Sequence, residues 1–188
     1  MNKKEIRQLL NNKRLNLSKD ENLVKSNKIK NKLFKIDEYK KAKNIFFYVS
    51  YDGEVFTHDA IKESFNDKIV VVPISNKEDF SLILSKIDSF EDLIVGLYGI
   101  LEPKKEKINE ISIDEIDLII IPGIVFDLKG NRIGHGKGFY DRLLKNTKIP
   151  SIALAFEYQI IEKIPADKYD KPVDIIITEK RIIYCKNQ

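Results

Sequence analysis

The chain has 188 residues, 43% of them hydrophobic and 33% charged, with a net charge of +4. That length suits one domain with a sizeable core, and the mild basicity permits a polyanionic ligand without demanding one. Its one cysteine, Cys185, excludes an intramolecular disulfide and a cysteine-rich metal site and fits a reducing compartment.

The opening Met1-Asn2-Lys3-Lys4-Glu5 has no apolar run behind it, so no secretory leader is expected. No stretch approaches the roughly 18 apolar residues of a membrane span, and a cytoplasmic location is expected. Residues 3–15 read as a helix, with Ile6, Leu9 and Leu10 on one face. Ser18 and Glu21 form a capping box, which starts a second helix running to about Phe34 with Ile29, Leu33 and Ile36 on one side. Residues 44–49 are short, apolar and rich in aromatic and β-branched side chains, as a buried strand requires. A loop at 50–55 follows, then a helix over 58–66 with Thr57 as its cap and His58 at the surface. Residues 69–72 form a second buried strand, which Pro73 is expected to stop.

Residues 80–84 suggest a strand, 99–103 a loop and 104–110 a solvated connection. The clearest buried strand is 117–121. A hairpin over 124–133 turns at Lys129-Gly130-Asn131, and a helix over 138–145 follows the glycine-rich stretch. Residues 151–155 are a strand and 157–163 a helical segment, while 173–177 and 181–184 are closing strands about a turn at 178–180. Apolar strands alternating with helices indicate an α/β fold. A single domain over 1–188 is expected, its mostly parallel sheet covered by helices on both faces.

The chemistry concentrates in Arg132-Ile133-Gly134-His135-Gly136-Lys137-Gly138-Phe139-Tyr140-Asp141-Arg142. Glycines permit positive φ and close approach, a helix start attracts anions, and a lysine adds a point charge, which together suit a nucleotide triphosphate. The stretch is not a Walker loop, because Gly138 follows Lys137 where a hydroxyl is needed, nor a dinucleotide fingerprint, because Phe139 takes the place of the last glycine. The bland alternative is a turn that merely reverses the chain. Lys137 is the first candidate for following negative charge during phosphoryl transfer, and Arg132 offers a planar fork to phosphate.

Asp141 suits either the dipole of the helix it begins or a Mg2+ ion. Asp174 interrupts an apolar run, where a carboxylate needs a partner or a metal. Lys3, Arg7 and Arg14, spaced by four and seven, form a charged stripe that is either solvated or a second phosphate clamp. Glu54, beyond the end of the first strand, is placed as ligand-contacting carboxylates are in open α/β sheets. The histidines suggest neither a metal centre nor a triad, and at His135 the backbone is expected to matter more than the ring.

Residues 121–127 (Ile-Pro-Gly-Ile-Val-Phe-Asp) followed by 130–142 resemble the signature of the 5-formyltetrahydrofolate cyclo-ligase family. Lys3-Lys4-Glu5-Ile6-Arg7, Tyr48 to Val55 with Thr57, Gly99-Ile-Leu-Glu102-Pro103, Leu154-Ala-Phe156, and Val173-Asp174 with Thr178-Glu179 are similar to further family segments in the same order. Only 74–98 match poorly. The resemblance implies an α/β sandwich and ATP- and Mg2+-dependent closure of 5-formyltetrahydrofolate to 5,10-methenyltetrahydrofolate. It implies that Lys3, Lys4, Arg7, Arg132, Ile133, Gly134, His135, Gly136, Lys137, Gly138, Phe139 and Tyr140 bind ATP. It further implies that Val49 and Glu54 contact the folate with His135, Gly136, Lys137, Gly138 and Phe139, that Lys137 and Arg132 act in catalysis, and that Asp141 and Asp174 hold Mg2+. Phe139-Tyr140 departs from the two tyrosines common there. Two alternatives stay open: an ATP-dependent ligase or kinase for another heterocycle, and a non-catalytic ligand- or RNA-binding module. Under the first reading the partners are small molecules, without nucleic acid or membrane, and the chain is expected to be a monomer.

Overall fold

The computed structural model describes residues 2–145, 147–165 and 171–185. It begins with α1 (Lys3–Leu15), opened by a capping box between Asn2 and Glu5. The expected box of Ser18 and Glu21 opens α2 (Lys19–Leu33), and a short α3 (Asp37–Lys41) follows. Then come β1 (Asn44–Phe47), α4 (His58–Ser64), β2 (Ile69–Ser75), β3 (Leu82–Ile87), β4 (Leu93–Val95), β5 (Leu101–Pro103) and β6 (Leu118–Ile121). The remainder is β7 (Val125–Asp127), β8 (Arg132–Ile133), α5 (Phe139–Leu144), β9 (Ser151–Leu154), β10 (Ile160–Ile161), β11 (Ile175–Ile177) and β12 (Ile182–Tyr184).

A seven-stranded sheet in the order β12-β11-β9-β6-β1-β2-β3 organises the molecule. Its inner strands are parallel and both edge strands antiparallel. Alternation along the strands divides the core. Ile45, Phe47, Val70, Val72, Leu118, Ile120, Ile152 and Ile175 face one way, against Ile29 and Leu33 of α2, Tyr39 of α3 and Ile61 of α4. Phe46, Val71, Ile119, Ile121, Ala153 and Ile176 face the other way, against Phe126 of β7 and Leu144 of α5. Burial on both faces explains why these strands read as unbroken apolar runs. Each fully buried Ile or Phe contributes about 1.5–3 kcal/mol.

A smaller sheet, β10-β7-β8, receives α1: Ile6 and Leu10 pack on Ile124, Val125, Ile133 and Ile164. Leu9, expected on that face, is instead 47% exposed, because the small sheet covers only a narrow stripe of the helix.

Several boundaries differ from expectation. Pro73 does not end β2. From Val72 onward β1 no longer pairs with it, so the strand has a single neighbour there, β3, and a position of edge character tolerates proline. Residues 99–103 are not a loop, since β5 pairs with β4 in a hairpin whose turn holds Tyr98 at φ +60. Residues 157–163 are helical only at their start. A 3-10 turn at Glu157–Gln159 leads into β10, pinned by Gln159, whose amide donates to the carbonyls of Gly123 and Ile124. Thr57 occupies the N-cap of α4 as expected but makes no side-chain capping bond; its hydroxyl donates to Tyr48 O and accepts from Ser50 N, which ties the loop after β1 back onto that strand.

His58 is half-buried rather than at the surface, its ring 4.4 Å from Phe56 and 4.9 Å from Phe90. Burial lowers its pKa, aided by Lys62 and opposed by the nearby Ser50 carbonyl and Asp59. The unfolded chain therefore takes up a proton that the fold resists. This contribution to stability is present above the unfolded value of about 6.5 and is lost as pH falls below it. We expect Tm to fall between about pH 6.5 and 5, and to fall less in His58→Gln; equal slopes in the two proteins would refute this.

Candidate active site

A cleft of about 570 Å3 opens at the C-terminal ends of β1, β2 and β6. The chain runs from β1 to β2 on one side and continues through β6 and β9 on the other, so the order in which strands are added reverses between the parallel β1 and β6. Ligands in open α/β sheets occupy that crevice. Here Tyr48 and Val49 flank it from β1, and Pro122 and Gly123 from β6.

The loop after β1 builds one wall. Tyr48 is buried, and its hydroxyl donates to Val55 O. Asp52 and Gly53 turn the chain at φ +45 and +77, and Glu54 folds back so that Oε2 accepts from Tyr51 N at 3.0 Å. The Glu54 side chain is 15% exposed and faces the cleft. Burial first, and the Glu54 charge second, push the hydroxyl pKa values of Tyr48 and Tyr140 well above the usual range. Arg14 holds Asp52 at 2.7 Å at the rim.

The glycine loop builds the opposite wall. Asp127 at the end of β7 accepts from the N–H groups of Lys129 and Asn131, which shapes the turn into β8. Gly130 is obligatory in that turn: its φ is +84, and a Cβ there would lie 2.2 Å from Val173 O. Arg132 emerges buried from β8 and donates to Asp141 Oδ1 at 2.7 Å. Gly136 and Gly138 take φ +93 and +74, and α5 starts at once. That helix has only six residues and no side-chain cap, so cations rather than a helix dipole set the local potential. Arg7 of α1 donates from Nε to Gly134 O at 3.0 Å, docking the first helix onto the loop. Across the mouth, Lys137 Nζ lies 3.5 Å from the centroid of the Tyr98 ring.

Most residues singled out from sequence meet here. Lys3, Arg7, Val49, Glu54 and the run 132–141 all line the cleft, and Arg14 of the charged stripe joins them. Two do not. Lys4 is exposed and does not reach the cleft. Asp174 lies before β11, at the opposite end of the parallel strands, where Oδ2 accepts from Ser151 N and Oγ, both at 2.8 Å. The structure therefore does not bring Asp174 and Asp141 to one ion. Among the described residues no three His, Cys, Asp or Glu side chains gather as a metal-binding group. Asp141 alone suits the Mg2+ pattern of one or two carboxylates completed by phosphate and water, and its side chain is 35% exposed.

Sequence reasoning missed Tyr51, Tyr98 and Glu102 as lining residues. Glu102 holds the tip of the β4–β5 hairpin, accepting from Ser75 N at 3.0 Å and Leu97 N at 3.4 Å. An aromatic residue set between Gly96 and Gly99 was the available signal for Tyr98.

The sequence profile of the 5-formyltetrahydrofolate cyclo-ligase family matches residues 1–179. The chain belongs to that family. Among cyclo-ligase relatives, the Haemophilus influenzae 5-formyltetrahydrofolate cyclo-ligase is 35% identical over 147 residues, covering 74% of this chain and 78% of its own length. The mouse 5-formyltetrahydrofolate cyclo-ligase is 33% identical over 175 residues, covering 87% and 86%. The solution structure of Aquifex aeolicus 5,10-methenyltetrahydrofolate synthetase superposes with a TM-score of 0.88 at 35% identity, over 100% of this chain and 95% of that one. The family match and the structural likeness both take in 74–98, the segment that carried none of the family motifs read from the sequence. No helix among the described residues is long and apolar enough to cross a membrane.

Proposed function

We propose that the cleft closes 5-formyltetrahydrofolate to 5,10-methenyltetrahydrofolate, using ATP and releasing ADP and phosphate. The observation that carries this reading is the docking of α1 on the glycine loop. It sets Lys3, Arg7, Arg132 and Lys137 on one side of a cleft whose other side is Val49 and Glu54. Four cations suit a triphosphate, and a wall of Val49 beside the Glu54 carboxylate suits a flat, hydrogen-bonding heterocycle.

In this reading the γ-phosphoryl group passes to the formyl oxygen, and N10 then attacks the activated carbon. Lys137, unrestrained apart from Tyr98, follows the phosphoryl group as charge moves to the acceptor. Arg132 is already aimed by Asp141 and loses little freedom on binding phosphate. Val49 and Glu54 hold the folate so that N10 meets the carbon in an intramolecular step, for which positioning supplies much of the rate. Mg2+, held by Asp141 and phosphate oxygens, would neutralise charge on the triphosphate.

The test is to mix protein, 5-formyltetrahydrofolate and Mg-ATP and follow the near-ultraviolet band of methenyltetrahydrofolate. Growth of the band that depends on ATP is expected. ATP binding without the band points to another heterocycle, and no ATP binding refutes the reading of the glycine loop. In the same assay Asp141→Asn should raise the Mg2+ concentration for half-maximal rate by about tenfold or more, since even outer-shell partners of a metal cost that much. Asp174→Asn should leave it unchanged, because its carboxylate serves Ser151.

A further inference from the structure

The reaction proposed above leaves one proton without an acceptor. When N10 bonds to the activated carbon it must shed its hydrogen, and the departing phosphate must gain one. The cleft has four carboxylates: Asp52, Glu54, Glu102 and Asp141. Asp52 and Asp141 are each held at 2.7 Å by an arginine, which commits the bonded oxygen to a guanidinium. Glu102 is bound to backbone N–H groups of β2 and of the β4–β5 hairpin. Glu54 differs. Oε2 rests on Tyr51 N, while Oε1 faces His135 Nε2 at 3.6 Å. Among the described residues, it is the cleft carboxylate that faces an imidazole, a neighbour able both to accept and to release a proton. The neighbour belongs to the glycine loop, on the phosphate side, and its side chain is 58% exposed. A gap slightly beyond hydrogen-bond length is usual for a catalytic pair before substrate tightens it.

We propose that Glu54 and His135 form a proton relay from N10 to the departing phosphate. The N10 lone pair forms the bond to the former formyl carbon, and the N10 proton passes to Glu54 Oε1. Glu54 hands it on to His135 Nε2, and the imidazole gives a proton from Nδ1 to the phosphate oxygen. The carbon–oxygen bond breaks with its electron pair on that oxygen. Phosphate leaves protonated, the ring carbon keeps the positive charge of the methenyl product, and the exposed imidazole resets its tautomer against water. No other reactant is needed. The His135 ring, which sequence reasoning set aside in favour of its backbone, thereby acquires a function through its contact with Glu54.

This rests on the cyclo-ligase reading, and the experiment separates the two. With wild-type protein, formation of the methenyl band tests the reading itself. With Glu54→Gln, which keeps the side chain's size and its acceptor for Tyr51 N, single-turnover mixing should yield ADP in amounts matching the enzyme. Closure should then be slower by about 10²–10⁴-fold, the usual worth of general acid–base catalysis, a loss in kcat that exceeds any rise in KM for folate from the weakened contact. A raised KM with unchanged kcat would make Glu54 a binding group only and overturn the relay. Loss of the ADP burst would overturn it too, by placing Glu54 before phosphoryl transfer. Should Glu54→Gln not fold, His135→Ala decides: its rate should fall at least tenfold and recover with added imidazole. Either no loss, or a loss that imidazole does not restore, overturns the relay while leaving the cyclo-ligase reading intact.

Discussion

Lys137→Ala is expected to lower kcat by about 10²–10³-fold, the loss that follows removal of one preorganised transition-state donor. The folded state should hardly register the change. Lys137 is exposed, and alanine removes only its ammonium from over the Tyr98 ring, an interaction worth about 0.5–1 kcal/mol at such a site. For a chain of this size that lowers Tm by no more than about 4 °C. The backbone of the loop is kept by other bonds: the Lys137 carbonyl accepts from Arg142 Nη1, and Gly134 O accepts from Arg7 Nε. Steady-state rates together with thermal melts separate the outcomes. A raised KM for ATP with unchanged kcat would mean that Lys137 binds the triphosphate equally in ground and transition states. A Tm loss much beyond this would mean the loop depends on the stacking of Lys137 on Tyr98.

How much of this could be read beforehand depended on the physical signal each residue leaves. The inner strands were legible because both of their faces are covered, and only an unbroken apolar run satisfies that; 118–121 is four buried residues in succession. The β4–β5 hairpin was not legible. Ile94 and Val95 are 48% and 71% exposed, so no alternation marks the strands, and the turn depends on Glu102 and a left-handed Tyr98. Asp174 illustrates a sound premise with an open end. A carboxylate in an apolar run does need a partner, but a serine hydroxyl and N–H suffice, and neutral partners leave no mark in the sequence. The glycine loop and Glu54 were legible as a place where chain and charge gather, and they do line the cleft, since positive φ and a carboxylate beyond a strand end suit a rim better than a core. The approach of His135 to Glu54 was hidden, because it arises from two walls that meet only in the fold.

Asp127→Ala should be the more damaging change for stability, at about 3–5 kcal/mol, even though Asp127 does not line the cleft. Its side chain is nearly inaccessible, and each oxygen accepts two hydrogen bonds. Oδ1 takes the N–H groups of Lys129 and Asn131 at 3.0 Å; Oδ2 takes Asn131 Nδ2 at 2.9 Å and Ile164 N at 3.1 Å. The Ile164 bond ties the segment after β10 to the turn between β7 and β8. Alanine leaves these donors unmatched in a place water cannot easily reach, at about 1–3 kcal/mol for each group that stays buried. A Tm fall of about 10 °C is expected, with a raised KM for ATP well below the melting range, because β8 carries Arg132 directly out of that turn. Asp127→Asn retains the shape but presents an amide donor to donors on one side, so it should fall between wild type and alanine. A Tm loss under about 3 °C for the alanine variant would show that the turn is held by Gly130 and the β7–β8 pairing without the carboxylate. In that case the geometry of the phosphate-facing loop would be a property of the backbone alone.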